Sequence, residues 1–247
     1  MSGTGRRGPA GVVLEGLATG MLGAGLGWAA LSQLEFLTAG AAVAGAAVGS
    51  LNGLISGGTG MYEWRGVRGW LCFLADSTWA LLGTASGLAL HLANTFDPDP
   101  SYVVGMSRRS NRHVYEAGCS MRPGFALALG NVVSGAGGTA GLRGESRRAV
   151  RRRKLVDVHE GAHLFQNRLL GPIYPLVYLA WMSIGALVGL VVSLVGERRH
   201  VWKVVETLAY YDNPFEYWAY RKDDYWPPAG AHPRYAWGAR RLRRSRR

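Results

Sequence analysis

Apolar residues in this chain gather into a few long runs, and the charges crowd into the gaps and towards residue 247. The first two runs cover 11–34 and 36–55. Each is close to the ~20 residues that carry a helix across hydrocarbon. Only Ser32 to Glu35 separates them with any polarity, so the pattern predicts a tight helical hairpin over 11–58. A third run covers 69–94 and a fourth 173–195. Blockwise segregation of this kind suits a membrane protein, because soluble chains interleave polar and apolar positions at helix or strand period.

Glycine sharpens the picture. Gly45, Gly49, Gly53 and Gly57 recur every fourth residue and share one helix face, while Gly16/Gly20 and Gly23/Gly27 repeat the spacing on the first helix. In lipid, small residues at this spacing let two backbones approach closely. The third run carries Asp76 and His91. An acid inside a span is functional by default, and Asp76-Ser77-Thr78-Trp79 reads equally well as a helix N-cap. Asp97-Pro98-Asp99-Pro100 breaks the pattern. Beyond it, Arg112 to Glu116 and Gly124 to Ser134 are short, partly alternating runs separated by turn chemistry at 121–124, which predicts a small β-hairpin. The loop 134–144 is rich in glycine and is expected to be mobile. A helix is expected over 147–170, entered at Ser146 and ended by Gly171-Pro172. In the fourth run Pro175, Gly185 and Gly189 are candidate breakers. A short helix over 201–211 and another over 214–222 precede a Pro- and Arg-rich tail.

Composition adds a net charge of +12. In a soluble chain that would suggest nucleic acid, but here the basic clusters flank apolar runs, as anionic headgroups and the positive-inside bias produce. No nucleic-acid partner is expected. The N-terminal arginines and the following apolar stretch read as an uncleaved membrane helix, because Glu15 and the missing cleavage site argue against a leader. Cys72 and Cys119 provide neither a disulfide framework nor a CxxC metal motif.

The chemistry lies in His159-Glu160-Gly161-Ala162-His163. On a helix, residues four apart share a face, so both imidazoles reach one metal ion. Glu160 is then placed to take a proton from a metal-activated water. Gln166 shares the face and could orient a ligand or bind substrate. A third ligand is required, and Glu216 in Asn213-Pro214-Phe215-Glu216 is the candidate. The same stretch is also a capping box, with Asn213 as N-cap, Pro214 at N1 and Glu216 at N3. Position alone leaves ligand and cap equally open. Glu206, Asp212 and His200 are spare candidates, and Tyr210, Tyr211 and Tyr217 are nominees for steadying an oxyanion.

The run from His159 to Asn167, then Leu170-Gly171-Pro172-Ile173-Tyr174, and later Asn213-Pro214-x-Glu216-x-x-Ala219, resembles bacterial zincin-like families of the H-E-x-x-H-x-x-Q type. The glycine-rich hairpin is similar to that of actinobacterial membrane proteins of unassigned function. The resemblance covers about 151–222. It implies a membrane-bound zinc metallopeptidase of gluzincin type, with His159, His163 and Glu216 as ligands, Glu160 as base and zinc as cofactor. Gln166, Asn167, Tyr217 and Asp212 are the candidates for ligand support or substrate contact. Iron or manganese would also suit two histidines and a carboxylate. The motif departs slightly, with Gly161 and Ala162 where such motifs often place glycine directly before the second histidine.

The expected fold is therefore mainly α. A glycine-zipper membrane region occupies 1–96, with its third apolar segment at 69–94. A small α+β zincin-like domain with a short β-hairpin covers 97–222, and a basic tail 223–247. The protein is expected to be integral to the cell membrane, with lipid and a peptide or protein substrate as partners. The glycine-rich helices allow a homo-oligomer as well. Two rivals stand beside the peptidase: a non-catalytic membrane scaffold with a degenerate zincin domain, and a glycine-zipper assembly protein. One conflict remains. If 173–195 simply crosses the bilayer, His163 and Glu216 end on opposite sides. A metal at membrane depth, with Glu216 entering from a different helix, is one way out. The favoured one is a re-entrant segment, broken at Pro175, Gly185 and Gly189, which would leave Arg153 and Lys222 on one side.

Overall fold

A computed structural model describes residues 8–34, 38–98, 101–120, 125–137, 145–196 and 200–238. The expected turn at 121–124, most of the glycine-rich loop 134–144 and the basic residues at 6–7, 198–199 and 240–247 fall wholly or largely outside these ranges. The chain is mainly helical with a small three-stranded sheet, and it divides into two compact units, Met1–Pro172 and Ile173–Arg247. The division lies between Pro172 and Ile173, and residues of the third apolar run pair with residues beyond 97 in the first unit.

In the first unit, α1 (Pro9–Ser32) and α2 (Ala39–Thr59) form the expected hairpin. Gly16, Gly20, Gly23 and Gly27 of α1 are buried, as are Gly45, Gly49, Gly53 and Gly57 of α2. A methyl group at Gly23 would overlap the Gly49 carbonyl, and one at Gly49 would overlap that of Gly23. Backbone thus meets backbone within one chain. Gly25 faces away, with nothing within 4 Å of a built Cβ. Gly49→Val is accordingly expected to destabilise the hairpin by about 1–3 kcal/mol or more, whereas Gly25→Val should leave the melting temperature in detergent unchanged. Equal melting temperatures for both variants would refute the packing.

The third apolar run is not one span. It folds as α3 (Val67–Ser77) and α4 (Leu81–Thr95), interrupted at Thr78. At about 1.5 Å per residue, neither piece covers the ~30 Å hydrocarbon. Asp76 does not cap α4, whose cap position is Ala80. It lies fully buried in the last turn of α3, where Arg168 clasps it through Nε–Oδ1 at 2.8 Å and Nη2–Oδ2 at 2.7 Å. Tyr62 also donates to Oδ2 at 2.8 Å, and the Asn52 amide donates to the Tyr62 hydroxyl at 3.2 Å. Asn131 in turn donates to Asn52 at 2.8 Å. One polar chain therefore links α2, α3, the sheet's turn and the helix that carries the histidines.

After α5 (Val104–Ser110) come β1 (His113–Val114), β2 (Leu127–Leu129) and β3 (Val132–Ser134), in the order β1-β3-β2. The hairpin is formed by β2 and β3 within the second predicted run, turning at Gly130-Asn131, where Gly130 adopts φ 57°. The first run contributes β1, paired in parallel to β3, so it is not the hairpin partner expected. Val114, Val133 and Met106 pack with Val156 and Leu164 of the histidine helix, seating the sheet against it.

The second unit begins with α8, Ile173–Gly196, a single helix of 24 residues (α6 and α7 make up the histidine helix, below). The expected break into two short helices does not occur. Gly185 and Gly189 serve instead as a seat for the returning chain, α9 (Val201–Glu206) with its π-helical continuation Thr207–Tyr211. A Cβ at Gly189 would lie 2.7 Å from Val205 Cα, and one at Gly185 would lie 2.8 Å from Ala209 Cα. Trp181 donates to the Leu208 carbonyl at 3.2 Å. Falling numbers on α8 against rising ones on the return make the pair antiparallel. Asn213 consequently arrives beside the start of α8, its amide 3.3 Å from the Tyr178 carbonyl. Within this unit the chain thus runs out along α8 and back, so that Asn213 ends near Tyr178. Of all described helices, α1, α2 and α8 are long and apolar enough to cross a membrane.

Candidate metal centre

The histidine helix follows its predicted signals. Ser146 caps it, accepting from the Ala149 amide, and Gly171 ends it with φ 54°. Within it, α6 (Arg147–Lys154) passes through a π-helical stretch, Leu155–Glu160, into α7 (Gly161–Leu170). Such π turns concentrate at functional sites. The stretch carries His159 and Glu160, while His163 sits in the first turn of α7.

The two imidazoles share a face, with Nε2 to Nε2 at 3.3 Å and ring centroids 5.0 Å apart. Gln166, fully buried, places its side-chain oxygen 3.0 Å from His163 Nδ1. That oxygen can only accept, so Nδ1 carries the proton and Nε2 keeps its lone pair for a ligand bond. Gln166→Ala is expected to weaken metal binding about 10–100-fold, as loss of such support does, in a chelator competition. An unchanged affinity would make Gln166 a packing residue. Asn167, by contrast, turns away: its side-chain amide fills the space a Cβ on Gly83 of α4 would take.

Glu160 is buried, and its charge is felt by Arg112 and Arg152. Arg112 is itself buried, which pushes its pKa down to about 10 against the opposing pull of Asp157 and Glu160. It meets Asp157 at 3.1 Å. A Cβ on Gly161 would lie 3.0 Å from Arg112 Nη1, a tight approach that the guanidinium would have to yield to by a few tenths of an ångström.

In the second unit, α10 (Pro214–Lys222) starts as predicted, with Asn213 accepting from the Phe215 amide at 3.1 Å. The Asn213 N–H donates to the Tyr210 carbonyl at 3.0 Å, while buried Glu216 accepts from the Tyr178 hydroxyl at 2.8 Å. Phe215 packs on Tyr174, ring centroids 4.9 Å apart. Asp212 and Tyr217 contact the segment 226–237: Asp212 accepts from the Trp237 N–H at 3.0 Å, with burial pushing its pKa up to about 6, and Tyr217 packs on Trp226 and Trp237. Tyr210 and Tyr211 pack on each other, and His200 lies near His232. Glu206 ends α9.

A buried group of His159, His163 and Glu216 could hold a metal ion, since one ligand atom from each lies within 4.8 Å of the others. Two imidazole nitrogens and a carboxylate oxygen, with Gln166 and Tyr178 each fixing a ligand, are a donor set that fits zinc and its neighbours. Tyr178, Arg112 and the Arg168–Asp76 pair escaped the sequence reading. The one signal for them was an acid in an apolar run, which demands a cation somewhere.

No protein-family model matches the chain, and no curated protein or solved structure matches it either.

Proposed function

We propose that the protein is an integral membrane metallopeptidase in which His159, His163 and Glu216 hold an ion of the zinc class and Glu160 is the general base. The observation that carries this reading is the buried His-His-Glu group, with Glu160 adjacent to its first histidine. The H-E-x-x-H-x-x-Q and N-P-x-E-x-x-A motifs support it by resemblance to zincin-like families, and the three apolar helices support the membrane setting.

A bound ion supplies Lewis acidity towards carbonyl and water oxygen. The protein supplies the rest. Glu160 accepts a proton from the attacking water at its carboxylate and returns it to the departing amine nitrogen. Gln166 holds His163 in the tautomer with a free Nε2. Tyr178 fixes one carboxylate oxygen of Glu216. Arg112 and Arg152 provide positive charge close to Glu160.

The test is elemental analysis of detergent-purified full-length protein beside His163→Ala and Glu216→Ala. About one metal ion per chain is expected in the wild type, as a single three-residue site requires, with loss in both variants. Metal retained in Glu216→Ala would leave that glutamate outside the site. No metal after zinc reconstitution would overturn the reading in favour of a non-catalytic scaffold.

A further inference from the structure

Resting on the peptidase reading, we infer that the substrate is a peptide segment lying at the membrane boundary, not a peptide free in bulk water. The argument is one of depth, and each unit makes it separately.

In the second unit, Tyr178 stands five residues into α8 and donates to Glu216 at 2.8 Å. At 1.5 Å per residue the carboxylate is therefore held about 7.5 Å along that helix. The 24 residues of α8 measure about 36 Å against a hydrocarbon thickness of ~30 Å. With the excess shared between both ends, Glu216 is level with the outermost few ångströms of hydrocarbon. The outer surface at that level is apolar: Leu176 is 65% exposed and Leu179 63% exposed, with Ile173 and Val177 beside them. The polar tips of Tyr178 and Trp181 turn inward, to Glu216 and the Leu208 carbonyl.

The first unit repeats the signature on the histidine helix. Phe165 is 49% exposed and Leu169 55% exposed, four residues apart and therefore on one face. Trp79, itself exposed, donates its indole N–H to the Leu169 carbonyl at 3.1 Å. An indole with an apolar body outward and its N–H satisfied at a helix end is typical of the interfacial belt. Each unit thus presents exposed apolar side chains on the helix that carries or holds its part of the site, Leu176 and Leu179 in one and Phe165 and Leu169 in the other, and such surfaces favour a substrate segment already held against lipid.

The experiment uses the full chain in nanodiscs and has two arms. In the first, Leu176→Cys and Leu169→Cys are spin-labelled on a Cys119→Ser background, and their collision rates with oxygen and with a water-soluble nickel chelate are compared. Preference for oxygen at both positions is expected, and preference for the nickel chelate at both overturns the inference. In the second arm, two fluorogenic peptides carry the same palmitoyl anchor and the same scissile segment, with a spacer of about two or about twenty residues between them. The shared anchor equalises membrane concentration, so only the height of the scissile bond differs. The short-spacer peptide is expected to be cleaved at least about tenfold faster, with Glu160→Gln as the blank. Equal rates, or a faster long-spacer peptide, overturn the depth inference while leaving the peptidase reading standing. Cleavage of neither by the metal-loaded protein overturns that reading, and this inference with it.

Discussion

Glu160→Gln is expected to lower peptide hydrolysis by about 10²–10⁴-fold, the range of a general base, while leaving metal content at the wild-type level. The substitution keeps the shape of the side chain and removes only its capacity to accept a proton. The proposed ligands His159, His163 and Glu216 are untouched, as are Gln166 on His163 Nδ1 and Tyr178 on Glu216. Turnover on matched peptides, with metal measured on the same preparations, separates the possibilities. Full activity would remove Glu160 from the proton path. Joint loss of activity and metal would mean that its charge, set against Arg112 and Arg152, holds the helix in shape.

Asp76→Ala is expected to be the most damaging change outside the metal centre. Asp76 is fully buried and receives two hydrogen bonds from Arg168 and one from Tyr62. Removing one partner of such a pair costs about 3–5 kcal/mol, because the other charge is left buried. Among the described residues, Arg168 would retain the Asn111 carbonyl at 2.5 Å and the Cys72 sulfur at 3.1 Å. For a unit of this size, the expected fall in melting temperature is roughly 10 °C. Replacing both partners, Asp76→Leu with Arg168→Met, should restore much of it, since exchange of a buried pair for apolar residues is often neutral. A melting temperature unmoved by Asp76→Ala would show that the pair contributes nothing.

What could be read beforehand followed the range of the interactions involved. The glycine hairpin was legible because its packing is written at four-residue spacing along two adjacent segments. The histidine helix was legible because Ser146 and Gly171 act on their own neighbours. The break at Thr78 was not, and the acid in the turn before it, Asp76, has its partner in Arg168, 92 residues away. In the fourth run Gly185 and Gly189 read as breakers, yet both are contact points for the returning chain. A glycine has the same letter in either role, and only the partner decides. The site divides in the same way. Its two histidines follow from helical spacing, whereas the placement of Glu216 within 4.8 Å of them, with Tyr178 donating to it, has no local signal. Nothing local to either residue announces that meeting.

A zipper that repeats every four residues has a weakness: it is degenerate. Sliding α1 along α2 by one repeat, about 6 Å, would again set small residues against small residues. Two contacts do not repeat. The Thr19 hydroxyl reaches the Gly53 carbonyl at 2.6 Å, and the Trp64 indole donates to Glu15 at 2.7 Å. These mark one alignment among near-equals, much as a single polar position specifies register in a coiled coil. The glycines bring the helices together, and Thr19 and Glu15 determine where along their length they stop.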